Sequence, residues 1–198
     1  MDFVKRAMQQ MALCMALGAM IPLLAAAQGM NSTMDQKGSD KMGMGKLGSL
    51  SPADQKFVMK AAQGGMAEVQ LGELAKEKGS SDAVKQFGQR MVDDHSKAND
   101  QLKQLAANKG LDLPSSLDAK DEATKTRLSK LSGDAFDRAY MKDMVADHTK
   151  DVSEFRRESQ SAKDPDVKNF ASQTLPTLED HLKSAKSVDS GLKTTASK

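Results

Sequence analysis

"VKQFGQRMVDDHSKANDQL" occupies residues 84–102. One stripe of apolar positions is Val84, Phe87, Met91, Ala98 and Leu102, and His95 stands midway between Met91 and Ala98. Steps of three and four residues mark one face of an α-helix, whereas a half-buried strand would alternate every second residue. The segment therefore reads as a long amphipathic helix. It carries one imidazole inside the stripe that must face a core.

Working outward, three more segments repeat the pattern. Upstream the stripe is Phe57, Ala61, Gly64/Gly65, Glu68, Leu71, Gly72 and Ala75. Downstream one stripe is Phe136, Tyr140, Met144, His148, Val152 and Phe155, and the last is Val167, Phe170/Ala171, Thr174, Leu178, His181, Ala185 and Val188. Local punctuation sets the limits. Ser51-Pro52 is an N-cap followed by proline at the first helical position, and Asp164-Pro165 is another. Gly79, Gly110 with Pro114, Ser132-Gly133 and Gly191 are stops. Long helices are predicted over 51–78, 82–108, 134–161 and 165–188, with a short one over 120–131. The expected fold is all-α: an up-down-up-down four-helix bundle over 50–190, with a short extra helix between the second and third long helices. Residues 191–198 read as a disordered tail.

Each stripe contains one ionisable side chain: Glu68, His95, His148 and His181. In the expected bundle, at about 1.5 Å per residue, these lie roughly 15, 20, 20 and 24 Å from one end, so they can meet inside. All three histidines of the chain follow an aspartate, in "MVDDHSK" (91–97), "MVADHTK" (144–150) and "LEDHLK" (178–183). Buried charges must pair, stay neutral or hold an ion. Three neutral imidazoles and a carboxylate form a tetrahedral set for a divalent metal such as zinc, and they also suit iron, manganese or copper. Asp94, Asp147 and Asp180 lie about 100° round their helices from these histidines, placed to accept the far N–H of a neighbouring imidazole. Met91 and Met144, one turn before two of the histidines, are either soft ligands or core packing. The alternative to a metal site is a buried polar cluster with a structural role.

The ends of the chain read differently. Lys5-Arg6, an apolar run over 11–24 and Ala25-Ala26-Ala27 have the form of a secretory signal peptide over 1–27, which implies export to the periplasm or cell envelope. The single cysteine, Cys14, lies within it, so the remainder offers no disulfide, thiolate catalysis or cysteine-based zinc site. Residues 28–49 form a disordered Met/Gly/Ser-rich linker, in which Met30, Met34, Met42 and Met44 have spacings that copper(I) or silver(I) sites use. With 29 basic and 27 acidic residues interspersed, one tyrosine and no tryptophan, the composition suggests no nucleic-acid partner and no transmembrane segment after residue 27. It leaves an envelope protein as the possible partner and says nothing of oligomeric state.

"AAQGGMAEVQLGELA" (61–75), residues 84–102, "LSGDAFDRAYMKDMVADHTKDVSEF" (131–155) and "LPTLEDHLKSA" (175–185) resemble the DUF4142 family over about 51–188. That resemblance implies an exported bacterial protein of unknown function with a ferritin-like helical bundle. Ferritin-like di-iron sites carry Glu-x-x-His on two helices. Here Val92, Val145 and Leu178 hold the glutamate positions, so any site is expected to be mononuclear. No nucleophile stands in a recognised motif with a base, which weighs against an enzyme. Pro176 removes one backbone donor from the last helix.

Overall fold

The computed structural model describes residues 50–195; the expected leader 1–27, the Met-rich segment 28–49 and residues 196–198 lie outside the described residues. Ser51 opens α1 (Pro52–Lys78), its hydroxyl accepting the Asp54 N–H at 3.1 Å. α2 (Asp82–Lys109) stops at Gly110, whose φ of 65° is the left-handed conformation that glycine adopts without a Cβ clash. α3 (Ala119–Ser129) is capped by Asp118, and α4 covers Gly133–Ser161. α5 (Pro165–Thr195) follows Asp164, whose carboxylate accepts the N–H groups of Asp166 and Val167. The described residues contain no strand.

α1 packs on α2 and α4 on α5, while α2 meets α5 and α1 meets α4 to close a square. The α1–α2 approach depends on glycine. A Cβ at Gly72 would stand 2.6 Å from the Gly88 carbonyl, and one at Gly88 would stand 2.8 Å from the Ala75 Cβ.

The helix directions differ from the up-down-up-down expectation. Asp54, near the start of α1, accepts the backbone N–H groups of Lys163 at 3.2 Å and Asp164 at 3.0 Å in the α4–α5 turn. Lys109, at the end of α2, pairs with Asp164 at 2.8 Å and Asp166 at 2.5 Å. At the opposite end Asp137, early in α4, accepts from Ser80 N at 3.1 Å and Ser81 N at 2.8 Å in the α1–α2 turn. The two turns therefore lie at opposite ends and the bundle runs up-down-down-up. Residues 110–132 span its length: Leu111 and Leu113 pack against the core at one end, Leu128 and Leu131 at the other. A single long crossover is the ferritin-like connection.

A second correction concerns α5. It does not stop near Val188 but continues through Gly191 to Thr195. Glycine costs only about 1 kcal/mol in a helix interior. Leu192 packs on the core and Lys193 pairs with Asp189 one turn back, which offsets that cost.

The core forms two clusters. Phe57, Leu102, Leu105, Phe155, Val167 and Phe170 belong to the one at the α4–α5 turn. Phe87, Met91, Phe136, Tyr140, Met144 and Leu128 belong to the one at the α1–α2 turn. Along α2, α4 and α5 the histidines fall between residues of the two clusters, near the middle of each helix.

Candidate metal centre

His95 comes from α2, His148 from α4 and His181 from α5, and they are 7%, 0% and 0% exposed. Ring centroids stand 5.9 Å apart for His95–His148, 5.4 Å for His95–His181 and 5.3 Å for His148–His181. One ring nitrogen from each lies within 4.8 Å of the others, a spacing at which the three can hold one metal ion.

Hydrogen bonds assign the tautomers of two rings. His148 Nδ1 stands 3.0 Å from the Met144 carbonyl, which can only accept, so Nδ1 carries the proton and Nε2 keeps its lone pair. His181 Nε2 stands 2.7 Å from an Asp94 carboxylate oxygen, which leaves Nδ1 with the lone pair. The remaining atoms, His148 Nε2 and His181 Nδ1, are buried without a hydrogen-bond partner, as is His95 Nε2. Orphaned buried polar atoms are rare in folded proteins and call for an explanation.

Burial also keeps these rings neutral. Desolvation pushes His95 well below the usual imidazole range, helped by repulsion from His148 and His181. Desolvation lowers His148 as well. It brings His181 down to about 4 against the opposing pull of Asp94. Near neutral pH the cluster is therefore three uncharged nitrogen donors, the protonation state that metal binding requires.

The four acids expected around the histidines take separate places. Glu68 is buried beside His148, its Oε1 3.7 Å from Nδ1, while the unpartnered nitrogen of that ring is Nε2. Glu68 thus borders the nitrogen set at the edge of His148 already used by Met144. Asp94 alone of the three aspartates meets an imidazole. Asp180 is held by Arg90 at 2.7 Å, and Asp147 pairs with Lys120 at 3.5 Å. Arg90 also reaches Asp94 at 3.3 Å, linking α2 to α5 beside His181. Met91 and Met144 are fully buried in the core cluster at the α1–α2 turn.

Two aspartates escaped sequence reading, Asp151 beside the cluster and the fully buried Asp137; Tyr140 was in the stripe read for its helix. Asp151 has its carboxyl raised to about 7, by burial and then by Glu68. Tyr140 is fully buried with an unpartnered hydroxyl and stacks on Phe136 at 5.5 Å. Asp137 precedes no histidine and stands outside the apolar stripe of its helix, so no sequence signal marked it. One turn beyond His148, Asp151 had the spacing to be noticed.

Glu68 is pushed up to about 8, first by burial and then by Asp147 and Asp121. The unfolded chain releases this proton near the ordinary glutamate value while the folded chain keeps it, so folding loses stability as pH rises from about 4.5 to about 8. Glu68→Gln resembles the protonated acid and escapes that loss. Urea unfolding should show equal stability near about pH 4 and a gain of about 1–3 kcal/mol for the variant near about pH 8.5. A gap that stays constant with pH would contradict a buried neutral Glu68.

Residues 40–188 match the family model described as "Domain of unknown function (DUF4142)". No curated protein matches the chain. A crystal structure of a DUF305 fragment from Deinococcus radiodurans is similar in fold, with a TM-score of 0.64 at 16% identity. The match covers 72% of this chain and 99% of that one. No described helix is long and apolar enough to cross a membrane.

Proposed function

The chain belongs to the DUF4142 family, and from that footing we propose that it is a metal-binding bundle of the bacterial cell envelope, with His95, His148 and His181 holding a single ion. One observation carries the reading: three neutral imidazoles from three helices bring one ring nitrogen each within 4.8 Å of the others, and every one of these rings has a buried nitrogen without a hydrogen-bond partner. Nitrogen donors of this kind suit zinc first, then iron, manganese or copper in divalent form. Glu68 borders the set at the Nδ1 edge of His148. Asp94 orients His181 and strengthens it as a donor. Export rests on the leader read in residues 1–27. The reading assigns binding, sensing or storage of the ion and no catalysed reaction.

Elemental analysis of leader-free protein, purified without affinity tag or chelator, should find close to one metal ion per chain. Asp94→Ala should weaken zinc affinity about 10- to 100-fold by competition titration. Asp180→Asn, which alters only the Arg90 contact, should leave affinity unchanged. Metal-free protein whose stability ignores both zinc and chelator would replace this reading with a structural polar cluster.

A further inference from the structure

We propose that the cavity lined from all five helices, with its acidic side chains on α1, α3 and its cap, and α4, admits hydrated divalent cations and is the passage by which they reach the histidine cluster. The inference rests on the metal-binding reading and adds to it the route and the charge class of the cargo.

The cavity has a volume of about 130 Å³ and ends inside the bundle at Glu68 and His95. Six acidic side chains line it, Asp118, Asp121, Asp147, Asp151, Glu154 and Glu68, of which Glu68 is held protonated near neutral pH and Asp151 is raised to about 7, against three lysines, Lys60, Lys120 and Lys150. Lys60 pairs with Glu154 at 3.6 Å and Lys120 with Asp147 at 3.5 Å, which leaves Asp118, Asp121 and Asp151 against Lys150. Exposure falls along the path. The lysines are exposed, Asp118, Asp121, Asp147 and Asp151 are half-buried, and Glu68 and His95 are buried.

Acidic residues alone are common on protein surfaces. Here the inner wall adds an independent feature. Glu68, 4% exposed, and His95, 7% exposed, both line the cavity, and Glu68 Oε2 and His95 Nε2 are buried without a partner. A cation drawn in by the carboxylates meets there oxygen and nitrogen atoms that nothing else satisfies. A low-dielectric cleft with an excess of one sign of charge focuses its field and raises the local concentration of the opposite ion.

A second opening, about 150 Å³ between α2 and α5, also reaches His95 and His181. Its charged lining is Asp94 and Lys97, which cancel. Asp94 is moreover engaged by both His181 and Arg90. That side offers a cation no gradient. Oxygen-rich approach followed by imidazole suits a hydrated divalent ion rather than copper(I), which prefers thiolate and thioether donors.

Stopped-flow mixing of the metal-free domain with cobalt(II) in low salt tests the route. Asp121→Asn/Asp151→Asn should slow association about tenfold and flatten its salt dependence, with equilibrium affinity altered less than about threefold. Asp121→Asn alone, on the short α3, should show part of the effect and guards against a folding defect in the double variant. Lys97→Glu, which makes the second opening acidic, should leave the rate unchanged. Wild-type association rates in the double variant, with binding intact, would overturn the passage while sparing the metal site. Faster association in Lys97→Glu would move entry to the α2–α5 side and equally overturn it. Failure of the wild-type domain to bind cobalt would overturn the passage and the metal reading together.

Discussion

Replacing His148 with leucine is expected to abolish zinc binding, lowering affinity by more than about 100-fold, the upper end of what removing only an orienting partner costs. His148 is fully buried, with its ring centroid 5.9 Å from His95 and 5.3 Å from His181. The Met144 carbonyl holds its Nδ1 proton and so presents the Nε2 lone pair. Leucine is close in volume to imidazole and removes a buried polar atom that the metal-free fold leaves unsatisfied. The metal-free variant should therefore be as stable as wild type or slightly more so. With zinc at about 100 times its dissociation constant, wild type should gain about 2.7 kcal/mol and the variant nothing. Thermal melts with and without zinc read both effects. A variant that keeps its metal content would remove His148 from the site, whereas a collapse of the metal-free fold would assign the cluster a structural role.

Asp137→Ala should be the most damaging single change outside the histidine layer. Asp137 is fully buried, and its two oxygens accept from Ser80 N at 3.1 Å, Ser81 N at 2.8 Å and Ser80 Oγ at 2.8 Å. Alanine strands the two turn amides, while the Ser80 hydroxyl keeps Asp134 Oδ1 as an acceptor at 2.9 Å. Leaving such groups unmade costs about 1–3 kcal/mol each before water enters, so a net loss of about 3 kcal/mol is expected. In a domain of this size that lowers the melting temperature by about 10 °C. Asp137→Asn keeps one acceptor oxygen and should lose about half as much. A melt within about 2 °C of wild type for the alanine variant would show that the turn is held by packing alone. Asp54 performs the corresponding task at the other end, accepting Lys163 N and Asp164 N, so the two aspartates tie each hairpin's turn to the start of a helix in the other hairpin.

The helices were legible because their causes are local. A serine before a proline, a glycine in the left-handed conformation and apolar residues at steps of three and four act within a few residues of chain. Ser51, Gly110 and the stripes through His95, His148 and His181 took the places those signals predict. Helix direction had no such signal. A cap or a stripe is unchanged when a whole helix is turned end for end, and the orientation of α4 depends on the crossover over 110–132 and on Asp54 and Asp137. The convergence of the histidines survived that error because each sits near mid-helix, and turning a helix about its middle leaves the middle at the same height.

What the sequence determined by itself was that four amphipathic helices exist and which face of each carries Glu68, His95, His148 or His181, because helical periodicity is a property of neighbours along the chain. That Asp54, Asp137 and Glu158 are buried too was decided by the packing. Only the tertiary structure decided that α4 runs parallel to α2. It also chose Asp94, and neither Asp147 nor Asp180, to hold an imidazole. Those three aspartates stand in the same local phrase, so nothing within the phrase separates them. The choice belongs to which helices touch: α2 lies against α5, and there Asp94 meets His181 while Arg90 takes Asp180.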